Sequence, residues 1–250
     1  LKWEATRARD LTASLAGLTR EASATHPNLI LWPEAAAPFP LNSSGYQSML
    51  RDLAGETGAT LMVGGVEPRG TGYANAIVAI EADGPTGPAY AKRHLVPFGE
   101  YVPLTNWLPL RKVVPIPEDC IPGSSPLPLV ASTQTGPVIL GALVCYEDIF
   151  PELAREHALA GAQALVVLTN DAWYGRELGA WQHAAHSALL AASTRLPVLR
   201  CGNAGWSGII DASGRMRPAL RDGSIYFRGG VDLGEVRVAR GAPELTHWSR

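Results

Sequence analysis

A thiol, a carboxylate and an ammonium each stand at the end of an apolar run in three separate stretches of this chain. They are Cys145 in VILGALVCYEDIFPE, Glu34 directly after LILWP, and Lys92 in YAKRHLVPFGEY. Brought together, these groups could attack a carbonyl carbon: the thiolate is the nucleophile, a carboxylate takes its proton, and an ammonium stabilises the oxyanion of the tetrahedral intermediate. Cys145 ends a β-branched run and precedes Tyr146-Glu147-Asp148, which has the acidic character of a helix start. Helix N-terminal amides beside the sulfur would favour the thiolate. Apolar neighbours would raise the pKa of Glu34 by desolvation, which suits a general base.

Each residue alone also has an ordinary reading. Cysteine in an apolar strand is commonly a small buried hydrophobe, and glutamate or lysine is commonly solvated at the surface. The usual base for a thiol is histidine, yet none of His26, His94, His157, His183, His186 and His247 stands out as a partner of Cys145. The chemistry therefore rests on whether folding brings Glu34, Lys92 and Cys145 together.

The elements that would do so can be read in order. Asp10 is expected to cap a helix with Leu11, Leu15, Leu18 and Ala22 on one face. His26-Pro27-Asn28 breaks it, and residues 29–32 read as a short buried strand ending at Pro33-Glu34. A second helix, with Tyr46, Met49, Leu50 and Leu53 inward, stops at Gly58. Residues 60–66 read as a strand in which Gly64-Gly65 marks a bulge or a close backbone approach. Residues 76–80, a turn at Asp83-Gly84 and residues 89–91 read as an antiparallel meander. The proline-rich residues 96–128 are too long for an idle connection and suit a lid or binding loop. Strands then follow at 138–144, 164–169, 197–201, 206–211 and 225–232, with helices at 149–159 and 181–194 and a turn at Gly214. Strands alternating with helices predict an α/β fold around a mixed sheet, in one domain spanning residues 1–250.

Composition narrows the function classes. The 250 residues are 46% hydrophobic and 18% charged, which fits a globular core. A formal charge of −2 without a Lys/Arg cluster gives no reason to expect nucleic acid as a partner. Cys120, Cys145 and Cys201 have no metal-ligand spacing, and their odd number leaves at least one free thiol. No window has the roughly 18 apolar residues of a membrane span.

The strings WPEAAAP, YAKRHLVPFGEYVP, VCYED and TNDAWYG resemble the nitrilase (carbon-nitrogen hydrolase) superfamily, which uses a Glu-Lys-Cys triad on an α-β-β-α sandwich. HLVPFGEYVP, CYE, NDAWYG, Gln182-His183 and GNAGWSGIID are narrower, and resemble the bacterial apolipoprotein N-acyltransferase family within it. The resemblance runs from Leu1 to about Asp232. It implies Glu34 as general base, Cys145 as the nucleophile that becomes a thioester, and Lys92 as oxyanion stabiliser. Glu100 would support the triad, Tyr146 and Glu147 would shape the site, and Phe98, Tyr101, Trp107 and Leu108 would meet lipid. The implied partners are a phospholipid acyl donor and the diacylglyceryl-cysteine amine of an apolipoprotein, with no metal and no cofactor. The expected location is the bacterial inner membrane, with this domain on the periplasmic side. The chain would then be part of a longer membrane protein, lacking the family's first strand and its flanking membrane helices. Two features depart from the family pattern: no arginine follows Gln182-His183 until Arg195, and the chain ends in GAPELTHWSR. The alternative reading is a soluble amidase or nitrilase of the same superfamily, with water as the second nucleophile.

Overall fold

A computed structural model describes residues 5–104, 118–175, 178–225 and 234–238. Helix α1 (Ala5–Ser23) leads into strand β1 (Leu29–Trp32), and α2 (Ser44–Thr57) into the hairpin β2 (Thr60–Arg69) and β3 (Gly72–Glu81). Two short strands, β4 (Gly84–Pro85) and β5 (Tyr90–Ala91), both pair antiparallel with β3. After the proline-rich segment come β6 (Leu129–Thr133), β7 (Gly136–Val144), α3 (Pro151–Leu159), β8 (Ala164–Asn170) and α4 (Gly179–Thr194). Strands β9 (Val198–Asn203), β10 (Gly208–Ile210) and β11 (Met216–Pro218) follow.

The strands form two mixed sheets. In the first, β1 pairs parallel with β2 and the remaining pairs are antiparallel. The second runs β11-β10-β9-β8-β7-β6, with β7, β8 and β9 parallel at its centre. Side chains alternate across each strand, so both faces of each sheet find a partner. Met62, Ile77 and Tyr90 of the first sheet meet Leu140, Ala142, Val144, Val166 and Leu168 of the second. The other faces pack under helices, Leu61, Val63, Val78 and Ile80 against Leu50 and Leu53 of α2. Leu143, Leu165 and Val167 lie against Leu153 of α3 and Leu190 of α4. The result is the expected α-β-β-α sandwich.

Several elements differ from their sequence patterns. α1 begins at Ala5, so Asp10 lies inside the helix and exposed rather than at its cap. The face that is buried carries Ala8, Thr12, Ala16, Thr19 and Ala22, while Leu11, Leu15 and Leu18 are half-buried. Thr12 and Thr19 donate back to the Ala8 and Leu15 carbonyls at 2.8 Å, and Thr19 accepts from Trp32 Nε1 at 2.9 Å. Small side chains with satisfied hydroxyls let this face lie close to β1. α2 follows its pattern: Tyr46, Leu50 and Leu53 are buried, and Gly58 closes it at φ 66°. Strands β6 and β11 have no clear apolar alternation in the sequence, and pairing with β7 and β10 creates them. Of the expected last strand, residues 226–232 lie outside the described residues. Among the described residues no helix is long and apolar enough to cross a membrane.

Candidate active site

Glu34 lies two residues beyond the C-terminal end of β1, followed by Ala35 at φ 45°. Gly64 of β2 makes room for this turn. A Cβ there would stand 2.6 Å from the Pro33 carbonyl oxygen and 2.8 Å from Glu34 Cα. The Gly64 carbonyl also accepts the Ala36 N–H at 3.1 Å, so the close approach expected at Gly64-Gly65 serves to seat Glu34.

Lys92 follows β5 directly. Its N–H donates to the Asn75 carbonyl, and its own carbonyl accepts from Gly123 N–H, both at 2.8 Å. The side chain is only 1% exposed, and Nζ is 2.8 Å from Glu100 Oε2. That same oxygen accepts the Val96 N–H at 2.8 Å. Asn75 Nδ2 spends its two hydrogens on two carboxylates, reaching Glu34 Oε1 at 2.6 Å and Glu100 Oε1 at 3.0 Å.

Cys145 directly follows β7, with φ 50°. The parallel register pairs Val144 with Leu168, which sets Cys145 beside Thr169 of β8. The thiol hydrogen-bonds with the Glu34 carboxylate, and the Thr169 hydroxyl and Asn170 N–H also reach the sulfur. Folding thus brings Glu34, Lys92 and Cys145 into one cluster with Glu100.

The electrostatics correct one expectation. Burial, and then the Glu34 charge, push the Cys145 thiol up to about 12, against the opposing pull of Lys92, Thr169 and Asn170. Residues 145–149 form a single short 3-10 turn. Its amides do not outweigh lost water and a neighbouring carboxylate, so the sulfur rests as a thiol rather than a thiolate. Burial also pushes the Glu34 carboxyl up, opposed by Lys92 and Asn75. For Lys92, burial works to lower the pKa, but the charges of Glu34 and Glu100 prevail and hold it above the ordinary lysine value. The resting site sets a neutral thiol in hydrogen-bond contact with a carboxyl of raised pKa, beside an ammonium that stays charged.

Glu147 joins the two halves of this cluster. Fully buried, it accepts the Tyr90 hydroxyl at 3.0 Å and the backbone N–H groups of Arg93 at 2.7 Å, His94 at 3.2 Å and Val144 at 2.8 Å. Tyr90 and Arg93 bracket Lys92, and Val144 precedes Cys145. One carboxylate therefore ties the lysine segment of one sheet to the cysteine turn of the other. Burial pushes it up, and the backbone N–H groups of Val144, Arg93 and His94 pull the other way. Tyr146 stands half-buried, edge-on to Phe150 with ring centroids 5.1 Å apart.

With this arrangement established, comparison with known proteins is informative. The carbon-nitrogen hydrolase family profile matches residues 3–240. The chain belongs to the carbon-nitrogen hydrolase family. It is 36% identical over 248 residues to the apolipoprotein N-acyltransferase of Geobacter metallireducens, an overlap covering 96% of this chain and 46% of that protein. To the apolipoprotein N-acyltransferase of Allorhizobium ampelinum it is 37% identical over 218 residues, covering 83% and 40%. The chain therefore spans less than half the length of these curated relatives. The carbon-nitrogen hydrolase from Helicobacter pylori G27 superposes with a TM-score of 0.65 at 20% identity, covering 85% of this chain and 80% of that one.

In this carbon-nitrogen hydrolase chain, the proline-rich segment contributes Phe98, 54% exposed at φ 61°, and the half-buried Tyr101. Trp107 and Leu108 lie outside the described residues. A second exposed apolar group, with no role assigned from the sequence, follows β8: Trp173 is 87% and Leu178 71% exposed. Among the described residues no cluster of three or more His, Cys, Asp or Glu could hold a metal ion, and all three cysteines are free.

Sequence reasoning missed two further features. Asn75 sits within an apolar alternation that hides its bridging role. Behind Cys145 lies a buried network of Asp148, Asp171, His183, Ser187 and Arg200. His183 Nε2 is 2.8 Å from Asp148 Oδ1, and Nδ1 is 2.8 Å from Asp171 Oδ1. Arg200 pairs with Asp148 through Nη1 and lies 3.6 Å from Asp171 through Nη2. Ser187 donates to Asp148 at 2.5 Å. Burial works against the charge on His183, but its bonds to Asp148 and Asp171 prevail and raise it to about 9, although Arg200 opposes them. Both aspartates are held below their ordinary value, because the Arg200 and His183 interactions overcome the cost of burial.

Proposed function

We propose that residues 1–250 form a single catalytic domain that moves an acyl chain from a phospholipid to the α-amine of an apolipoprotein's N-terminal diacylglyceryl-cysteine. The meeting of Glu34, Lys92 and Cys145 in one buried cluster carries this reading, and the names of the relatives supply the substrates. In the first half-reaction Glu34 takes the thiol proton and Cys145 Sγ attacks the ester carbonyl carbon. The oxyanion forms beside Lys92 Nζ, which is already charged and cannot move far because Glu100 holds it. Collapse expels the lysophospholipid alkoxide, which takes the proton from Glu34, and leaves an acyl-thioester on Cys145.

In the second half-reaction the lipoprotein amine attacks the thioester and Glu34 receives its proton. Collapse then forms the amide and expels the sulfur, which recovers that proton. Two moderate steps replace one difficult ester-to-amide exchange. Glu100, Asn75 and Glu147 position the reacting groups, and Tyr146 flanks the nucleophile. Phe98 and Tyr101 meet the lipid, a role the family resemblance also gives to Trp107 and Leu108. The setting for this chemistry is the bacterial inner membrane, with the domain on its periplasmic side and no cofactor required.

The test uses the intact protein in vesicles containing a phospholipid with a radiolabelled acyl chain. The expected result is a hydroxylamine-sensitive label on Cys145 that discharges to a diacylglyceryl-cysteine peptide and is absent from Cys145→Ala. Label retained on Cys145→Ala overturns the assignment of the nucleophile. Discharge to water with no transfer to the peptide overturns the acyl acceptor.

A further inference from the structure

Thr169 carries one hydroxyl proton and has two acceptors within reach. It donates to Asp171 Oδ1 at 2.9 Å, and it also meets the sulfur of Cys145 across the β7–β8 register. We propose that Thr169 is a further catalytic residue, whose hydroxyl turns from Asp171 to the sulfur each time Cys145 ionises. This rests on Cys145 being the nucleophile.

While the sulfur is protonated, its hydrogen serves Glu34 and the Thr169 hydroxyl serves Asp171. When the proton passes from Sγ to the Glu34 carboxylate, a full negative charge appears on a half-buried sulfur. A charged acceptor forms the stronger hydrogen bond. Rotation about the Thr169 Cβ–Oγ1 bond brings the hydroxyl to it, the proton never leaving Thr169. The Asn170 N–H supplies a second donor to the same atom.

The neighbouring network makes this turn inexpensive. When Thr169 leaves, Asp171 Oδ1 keeps His183 Nδ1 at 2.8 Å, and Oδ2 still faces Arg200 Nη2 at 3.6 Å. The aspartate is therefore not stranded without a partner, the usual penalty for removing a donor from a buried carboxylate. Gly205 packs directly on the Asp171 side chain, where a Cβ would collide with it, so the acceptor keeps its place. The sulfur needs this stabilisation twice, when it attacks the ester and when it leaves the amide-forming intermediate.

The experiment measures alkylation of Cys145 by iodoacetamide in the intact protein, followed across pH by mass spectrometry of the Cys145 peptide. Thr169→Val keeps the shape and removes the hydroxyl. It is expected to slow alkylation on the order of tenfold at neutral pH and to move the profile to higher pH. Thr169→Ser, which restores the hydroxyl, is expected to return the rate to within about threefold of wild type. Should the valine variant not fold, Thr169→Ser against Thr169→Ala gives the same comparison. Equal rates with and without the hydroxyl overturn the proposal, and so does a serine variant as slow as the valine one. A wild-type Cys145 that resists alkylation while Cys145→Ala still transfers acyl chains would instead remove the nucleophile assignment itself.

Discussion

The cluster of Glu34, Lys92, Glu100 and Cys145 and the network of Asp148, Asp171, His183 and Arg200 stand on either side of Thr169, and in both burial is the largest influence on ionisation. Their balance of charge differs. The network matches two carboxylates with a guanidinium and an imidazolium, and there the opposite charges outweigh burial: the aspartates go down, and the histidine goes up even though Arg200 opposes it. In the cluster burial prevails: it pushes Glu34 and Cys145 up, and the single ammonium of Lys92, shared among two carboxylates and a thiol, does not offset it. Incomplete charge matching is what makes a buried site reactive, and complete matching is what makes one rigid.

The comparison can be broken most directly at Glu34. Glu34→Gln removes the proposed base while keeping the shape, and is expected to reduce thioester formation by about 10²–10⁴-fold without lowering Tm. The readout is single-turnover labelling of Cys145 beside a thermal melt, and a fall in Tm as large as the loss of rate would assign Glu34 to the frame instead. Arg200→Met tests the other side. It leaves two buried carboxylates with His183 as the remaining cation between them, and a loss of about 3–5 kcal/mol is expected in a denaturant melt. A variant as stable as wild type would show that the network does not hold the fold.

The smallest effect is a difference of sign with pH. His183 titrates near 9 in the folded protein against about 6.5 unfolded, so the stability it contributes is complete below about 6.5 and lost as pH rises through about 9. The aspartates, held low, contribute stability above their unfolded value near 4 that fades only as pH falls through their depressed folded values. Glu34 behaves oppositely to these aspartates: its raised folded pKa makes its ionised form a cost, relieved as pH falls through that value. Tm followed from pH 6 to pH 10 is expected to decline on the alkaline side. A decline that persists unchanged in His183→Gln would remove His183 as its source.

Parts of this site were legible before folding. Glu34, Lys92 and Cys145 each follow an apolar run, and a residue just past a buried strand is carried to the sheet edge whatever lies beyond. Gly64-Gly65 announced a close approach, though not that Glu34 was the neighbour. Asn75 was not legible, because an asparagine within an alternating strand looks like an ordinary polar position. Nor was the network: Asp148 and Arg200 are 52 residues apart and meet only because β7, β8 and β9 lie parallel under α4. Strands β6 and β11 were hidden for a related reason, since their pairing partners define them more than their own pattern does.

By itself the sequence determined the alternation of strands and helices, the apolar faces that need cover, and the three candidate groups at strand ends. These follow from local periodicity and from the need of every apolar face for cover. Only the tertiary structure decided the state of the sulfur. Local pattern placed Cys145 at what looked like a helix start, whose amides would favour the thiolate. The ionisation of a buried group is set by all charges within a few ångströms and by lost water, and those neighbours come from β1, β5 and β8. The site therefore keeps its thiol protonated and hydrogen-bonded to the Glu34 carboxyl.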